Sequence, residues 1–147
     1  MLGALLRVPA DEVHRRILEG LHAQGFDDLQ PAHMALLQWP GPQGRRPSDL
    51  AAHTGMSRQA VNYLLRQLED LGYLARRDDT DDRRARRIEL TERGRALVPA
   101  VRRIVRDIEQ EWARELGPDE FEQLRDLLER LRDIVQDSDA RRAPARR

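Results

Sequence analysis

The sequence predicts a mainly α-helical chain with a small two-stranded β-wing: a winged helix-turn-helix with extra helices at both ends. Three observations predict it. Between Pro47 and Leu71, two segments of helical period are separated only by Gly55-Met56-Ser57, too few residues for anything but a tight turn. After Gly72 the apolar period shortens from that of a helix to that of a strand, on both sides of a charged turn at Asp78 to Asp82. Long amphipathic stretches with three- and four-residue steps fill both flanks.

The first helix is expected over 8–24, opening near Pro9 with Asp11 and Glu12 in its first turn and Val13, Ile17, Leu18 and Leu21 as its apolar stripe. Gly25 is positioned to stop it. A short helix then runs over 31–39, because Pro31 suits a first helical position. Pro40-Gly41-Pro42-Gln43-Gly44 is incompatible with helix and marks a loop. Leu50 and Ala51 form the inner face of the helix before the turn, and Val61, Leu64, Leu65 and Leu68 that of the helix after it. Ser57 is the expected N-cap, since its hydroxyl can accept from an orphan backbone N–H, and Gly55 supplies the backbone freedom the turn needs. Tyr73 to Arg77 and Arg84 to Leu90 read as the wing strands. Thr91 caps a helix to Leu116, with Leu97, Val101, Ile104, Val105, Ile108 and Trp112 in register and a kink at Pro99. Gly117 and Pro118 divide it from a last helix over 118–136, striped by Phe121, Leu124, Leu127, Leu128, Leu131, Ile134 and Val135. The expected organisation is N-terminal helices at 1–46, the winged helix-turn-helix at 47–94, C-terminal dimerisation helices at 95–137 and a disordered tail at 138–147.

The chain has 147 residues, enough for one compact core, and zero formal net charge. The distribution matters more than the total. From Arg45 to Arg95 there are 12 arginines against 9 acids, whereas from Asp107 to Asp137 there are 11 acids against 4 arginines. A basic middle beside an acidic C-terminal region suits a polyanion-binding face on a chain with no overall charge. Lysine is absent, so the cationic surface is built from guanidinium groups, which can bind phosphate or guanine through two donors. Cysteine is also absent, which excludes disulfides, thiolate zinc sites and cysteine redox sensing. No run approaches membrane-spanning length and Met1 to Leu6 is too short for a secretory signal, so a cytoplasmic protein is expected.

With Val61, Leu64, Leu65 and Leu68 turned inward, Arg58, Gln59, Asn62 and Arg66 fall on the opposite face, and these side chains hydrogen-bond base edges and phosphates. Arg58, Gln59 and Asn62 are assigned to bases or nearby phosphates, Arg66 to the backbone, and the Ser57 hydroxyl to a phosphate at the helix N-terminus. Arg83, Arg84 and Arg86 lie at the wing, where an arginine can enter a narrow minor groove, and Asp82 is placed to hold one of them.

The residues Leu50-Ala51, Ser57-Arg58-Gln59-Ala60-Val61, Leu68-x-x-Leu71-Gly72-Tyr73-Leu74 and Asp82-Arg83-Arg84-Ala85-x-x-Ile88-x-Leu90-Thr91-x-x-Gly94 resemble the MarR (multiple-antibiotic-resistance regulator) family of transcription factors. The wing motif is the most specific part, and the resemblance is close over the middle third of the chain. It implies a homodimeric repressor of a near-palindromic operator in double-stranded DNA, with Asp82 and Arg84 matching the family's wing pair. It also implies release by a small, often aromatic or phenolic, effector. Candidate pocket residues are His14, Leu18, His22, His33, Leu37, Trp39 and Trp112.

Independently of the resemblance, the terminal helices carry more apolar surface than one winged module can bury, which favours a two-fold dimer over a monomer with a helical cap. His14 and His22 share a helix face, but with no cysteine, no His-x-x-x-His and no carboxylate at ligand spacing, neither metal nor cofactor is expected. No phosphate loop or nucleophile motif suggests an enzyme. The competing readings are a winged-helix protein-interaction module without DNA binding and a ligand-independent activator. The first requires an acidic or apolar outer face on the second helix, which Arg58, Gln59, Asn62 and Arg66 do not provide.

Overall fold

The computed structural model describes residues 1–37, 45–78 and 86–142. In chain order the elements are α1 (Leu2–His22), α2 (Pro31–Leu37), α3 (Pro47–Thr54), α4 (Arg58–Asp70), β1 (Leu74–Asp78), β2 (Arg86–Leu90), α5 (Glu92–Leu116) and α6 (Pro118–Arg142). The fold is mainly helical with one two-stranded antiparallel sheet, as the periodicities predict. Two compact units divide the chain, Met1–Val105 and Arg106–Arg147.

In the first unit, α1 to α4, the sheet and the start of α5 share one core. Leu21, Leu29, Leu36, Leu50, Leu65, Leu68, Tyr73 and Ile88 are all essentially inaccessible to water. The strands pair from Leu74↔Leu90 to Asp78↔Arg86, with Leu74 and Ile88 buried and Arg77, Asp78 and Arg86 exposed toward the open end of the wing. The sequence predicts two strands. The structure adds a third partner, because Arg45 exchanges both backbone hydrogen bonds with Ile88, at 3.1 and 2.8 Å, and so satisfies groups on the other edge of β2.

A polar clasp closes this core. The Tyr73 hydroxyl donates to Asp28 Oδ1 at 2.5 Å, and Arg93 donates to Asp28 Oδ2 at 2.8 Å and to the Leu71 carbonyl at 2.5 Å. The Arg93 guanidinium also lies 4.3 Å from the centre of the Tyr73 ring. The α1–α2 connection, the turn after α4 and the start of α5 are thereby tied at one point. Desolvation pushes the Asp28 carboxyl upward, but the Tyr73 and Arg93 hydrogen bonds and the Arg93 charge together hold it below the usual carboxylate range. Burial first, then the Asp28 partnership, raise the Tyr73 phenol above its ordinary value. Gly94 has to be glycine here, because a Cβ would collide with the Tyr73 carbonyl.

Two helix boundaries differ from those expected. α1 starts at Leu2 rather than near residue 8, and Pro9 lies inside it. Proline removes one N–H, yet the residues before it are good helix formers, and the Met1 carbonyl accepts from both Ala4 and Leu5 to start the helix. α6 continues to Arg142, so 138–142 are helical and not part of an unstructured tail. No glycine or proline interrupts that stretch before Pro144. In the second unit Ile108 is buried and Trp112 half-buried, whereas Leu124, Leu127, Leu128, Ile134 and Val135 are exposed. Pro99 is carried within a continuous α5.

Candidate nucleic-acid interface

α4 is fixed at its start by backbone geometry. Gly55 ends α3 with a φ of 67°, a left-handed conformation that side chains resist, and Ser57 turns the chain into α4 in an extended conformation. The Ser57 Oγ accepts from the Ala60 N–H at 3.1 Å, as expected for the N-cap, and its own hydroxyl hydrogen stays available to an acceptor beyond the helix. Val61, Leu64, Leu65 and Leu68 are buried against the core. That anchorage sets the rotation of the helix. Ser57, Arg58, Gln59 and Arg66 are exposed, and Asn62 is half-buried at the margin of the same face.

Gln59, Asn62 and Arg66 line one surface concavity together with Glu69 and Arg76. Arg76 Nε lies 3.0 Å from both Glu69 oxygens, so the first residues of the wing are joined to the last turns of α4 by a partly shielded ion pair. Arg76 was not among the residues expected at the site, although the seven-residue spacing of opposite charges across the Gly72 turn is a readable signal. Tyr63 was missed too. At about 100° per residue it falls about 40° from Gln59, on the side away from Arg66, and the structure leaves it 57% exposed.

At the wing, Arg86 is exposed at the start of β2 and pairs with Asp78 at 3.5 Å across the sheet. This solvent-facing pair contributes little stability. Asp82, Arg83 and Arg84 lie outside the described residues.

Beneath the interface an apolar cavity of ≈ 390 Å³ opens between α1, α2, the end of β2 and α5. Ile17, Met34, Leu37, Leu97 and Val101 form much of its wall, with His14 and Arg102 as its polar members. A second hollow shares His14 and Met34 and includes Leu18. The expected pocket residues therefore separate. His14 and Leu37 line the apolar cavity and Leu18 the neighbouring hollow. His22 is occupied instead by the Leu29 carbonyl at 2.7 Å, and His33 is buried between Gln30 and Gln67, so neither lines either space. Trp112 belongs to the second unit, and Trp39 lies outside the described residues.

Comparison with known proteins agrees with this geometry. The profile of the MarR family matches residues 27–85. The HTH-type transcriptional repressor Rv2887 of Mycobacterium tuberculosis is 33% identical over 88 residues, which are 60% of this chain and 63% of that repressor. The match thus spans less than two thirds of the repressor's length. Its structure in complex with salicylic acid resembles this one with a TM-score of 0.63 at 29% identity, covering 89% of this chain and 96% of that one. A crystal structure of MarR gives a TM-score of 0.74 at 25% identity, over 92% and 98% of the two chains. A variant of S. aureus MepR bound to an oligodeoxyribonucleotide gives 0.55 at 26% identity, also over 92% and 98%.

Proposed function

We propose that the chain is a regulator of the MarR family that binds DNA sequence-specifically, a homodimeric repressor of a near-palindromic operator, a reading supported by its match to that family over residues 27–85. The observation that carries this reading is α4, whose apolar side is wholly committed to the core while its other side offers Ser57, Arg58, Gln59, Asn62 and Arg66. N-terminal residues of such a helix reach base edges in the major groove, so Arg58, Gln59 and Asn62 read bases, and Arg66 and the Ser57 hydroxyl hold phosphates. Arg86 and, by the sequence motif, Arg83 and Arg84 with Asp82 make the wing contact. Two copies related by a two-fold axis would set their α4 helices into successive grooves about 34–36 Å apart. The chain acts by binding rather than catalysis and works in the cytoplasm; among the described residues no helix is long and apolar enough to cross a membrane.

The apolar cavity is the proposed effector site. Its size suits a small aromatic molecule, and His14 and Arg102 supply donors for a phenolate or carboxylate. A co-crystallised salicylic acid in Rv2887 supports that chemical class.

Fluorescence anisotropy with the chain's own upstream DNA and a random duplex, across a salt series, tests the reading. Selective binding that weakens steeply with salt is expected, and Asn62→Ala should lower affinity for the operator about tenfold while sparing the random duplex. Salicylate should release the wild-type complex, and Val101→Phe, which fills the cavity, should resist release. Equal weak binding to both duplexes would refute sequence-specific regulation.

A further inference from the structure

His33 is the one buried polar or charged residue among those described, 2% exposed on the short helix α2, and it is not isolated. The Gln30 backbone N–H donates to its Nδ1 at 3.2 Å. A backbone N–H can only donate, so Nδ1 is the acceptor and the neutral ring carries its proton on Nε2. Nε2 faces Gln67 Oε1 at 3.2 Å and therefore donates to it. This fixes which way the Gln67 amide points, and its Nε2 donates to the Tyr63 hydroxyl oxygen at 3.2 Å. Every bond in the row has its direction set by the first. The row ends on the exposed face of α4 with a tyrosine whose oxygen is already accepting, leaving its O–H to donate outward.

We propose that Tyr63 is a further DNA contact, donating to a phosphate oxygen, and that Gln67 is a positioning residue that orients it from the buried His33. This rests on the regulator reading above. Tyr63 lies one turn beyond Gln59 and one turn before Gln67, past the N-terminal turn from which bases are read, and a preset donor there matches the acceptor-only oxygens of the DNA backbone. Holding the phenol ring still before binding removes part of the ordering cost of the contact. A neutral hydroxyl displaces no counterion, so this contact differs from an arginine contact in a measurable way: it contributes affinity without contributing to the salt slope.

The test uses full-length protein, the upstream operator duplex and a random duplex of equal length, with anisotropy read across a salt series. Tyr63→Phe keeps the ring and removes only the hydroxyl; it is expected to weaken binding to both duplexes about tenfold and leave the salt slope unchanged, whereas Arg66→Ala should reduce that slope by about one. Gln67→Met, which keeps the length and removes the amide, should weaken binding less and add nothing on top of Tyr63→Phe. Thermal melts identify any variant that has lost its fold. Wild-type binding with an unaltered Tyr63→Phe would overturn the contact alone. A loss confined to the operator would make Tyr63 a base reader and overturn the phosphate assignment, and fully additive losses would overturn the positioning role. Wild-type protein that binds neither duplex would overturn the regulator reading, and this contact with it.

Discussion

α4 and α6 are both amphipathic, yet they end in opposite conditions. In α4 the apolar residues Val61, Leu64, Leu65 and Leu68 are 0–6% exposed, so the helix is completed by its own chain. In α6 Leu127 is 58% exposed and Ile134 63%, and Leu124, Leu128 and Val135 remain open beside them. The difference teaches that periodicity predicts which face of a helix leaves water, not which chain covers it. Contiguous aliphatic rows of this length are uncommon on the surface of a lone chain, and the proposed second copy would cover this one. The helix proposed to read DNA is completed by its own chain; α6 is not.

The largest expected effect breaks the second half of that contrast. Leu124→Glu combined with Leu128→Glu places two charges on one face of α6. Light scattering should find monomers in place of dimers, and operator binding should fall about a hundredfold or more as two-site binding is lost. A variant that stays dimeric would show that α6 is covered by something else. Next in size, Leu65→Ala empties a fully buried site of α4 and should cost about 2–5 kcal/mol in urea denaturation. A loss below about 1 kcal/mol would mean that the core relaxes around the helix and that Leu65 does not fix its rotation.

Asp28 gives a smaller effect with a pH signature. Its native carboxyl is held below the usual range, so its contribution is complete above the unfolded carboxylate pKa and is lost as pH falls through the lower native value. Asp28→Asn keeps the shape and removes the charge opposite Arg93, and should cost about 1–2 kcal/mol at neutral pH. The acid limb of the urea midpoint should be shallower in the variant than in the wild type. Parallel limbs would mean the clasp holds equally well without its charge.

Much of this was legible in the sequence, for reasons that can be named. The Gly55 turn, the Ser57 cap and the inward set Val61, Leu64, Leu65 and Leu68 follow from local geometry, which four or five neighbouring residues determine. The wing strands were readable to within two residues from their alternation. What escaped depends on contacts between distant segments. Arg45 meets Ile88 across 43 positions of chain, and Tyr63 acquires a preset hydroxyl only because Gln67 reaches His33, 34 residues earlier. His22 and His33 are candidate pocket residues by sequence, but a backbone carbonyl and a glutamine amide occupy them instead, and no single-helix projection could reveal that. α1 starts earlier than its sequence suggests because proline, ordinarily a helix boundary, is absorbed here by the helix that Leu2 to Val8 form ahead of it.

The smallest effect concerns the residue where the two roles of α4 meet. Ser57 caps the helix through Ala60 and sits at the end proposed to face DNA. Ser57→Ala removes both the acceptor for an orphan N–H and the outward donor, and should cost about 1 kcal/mol in stability. Ser57→Asp separates the two functions. It keeps a good cap and adds a negative charge favourable to the helix dipole, so the folded protein should be as stable as the wild type or slightly more so. The same charge would face a phosphate, and operator binding should fall well below that of Ser57→Ala. If both variants bound DNA equally, the N-terminus of α4 would be a structural cap alone, and the reading of the helix would begin at Arg58.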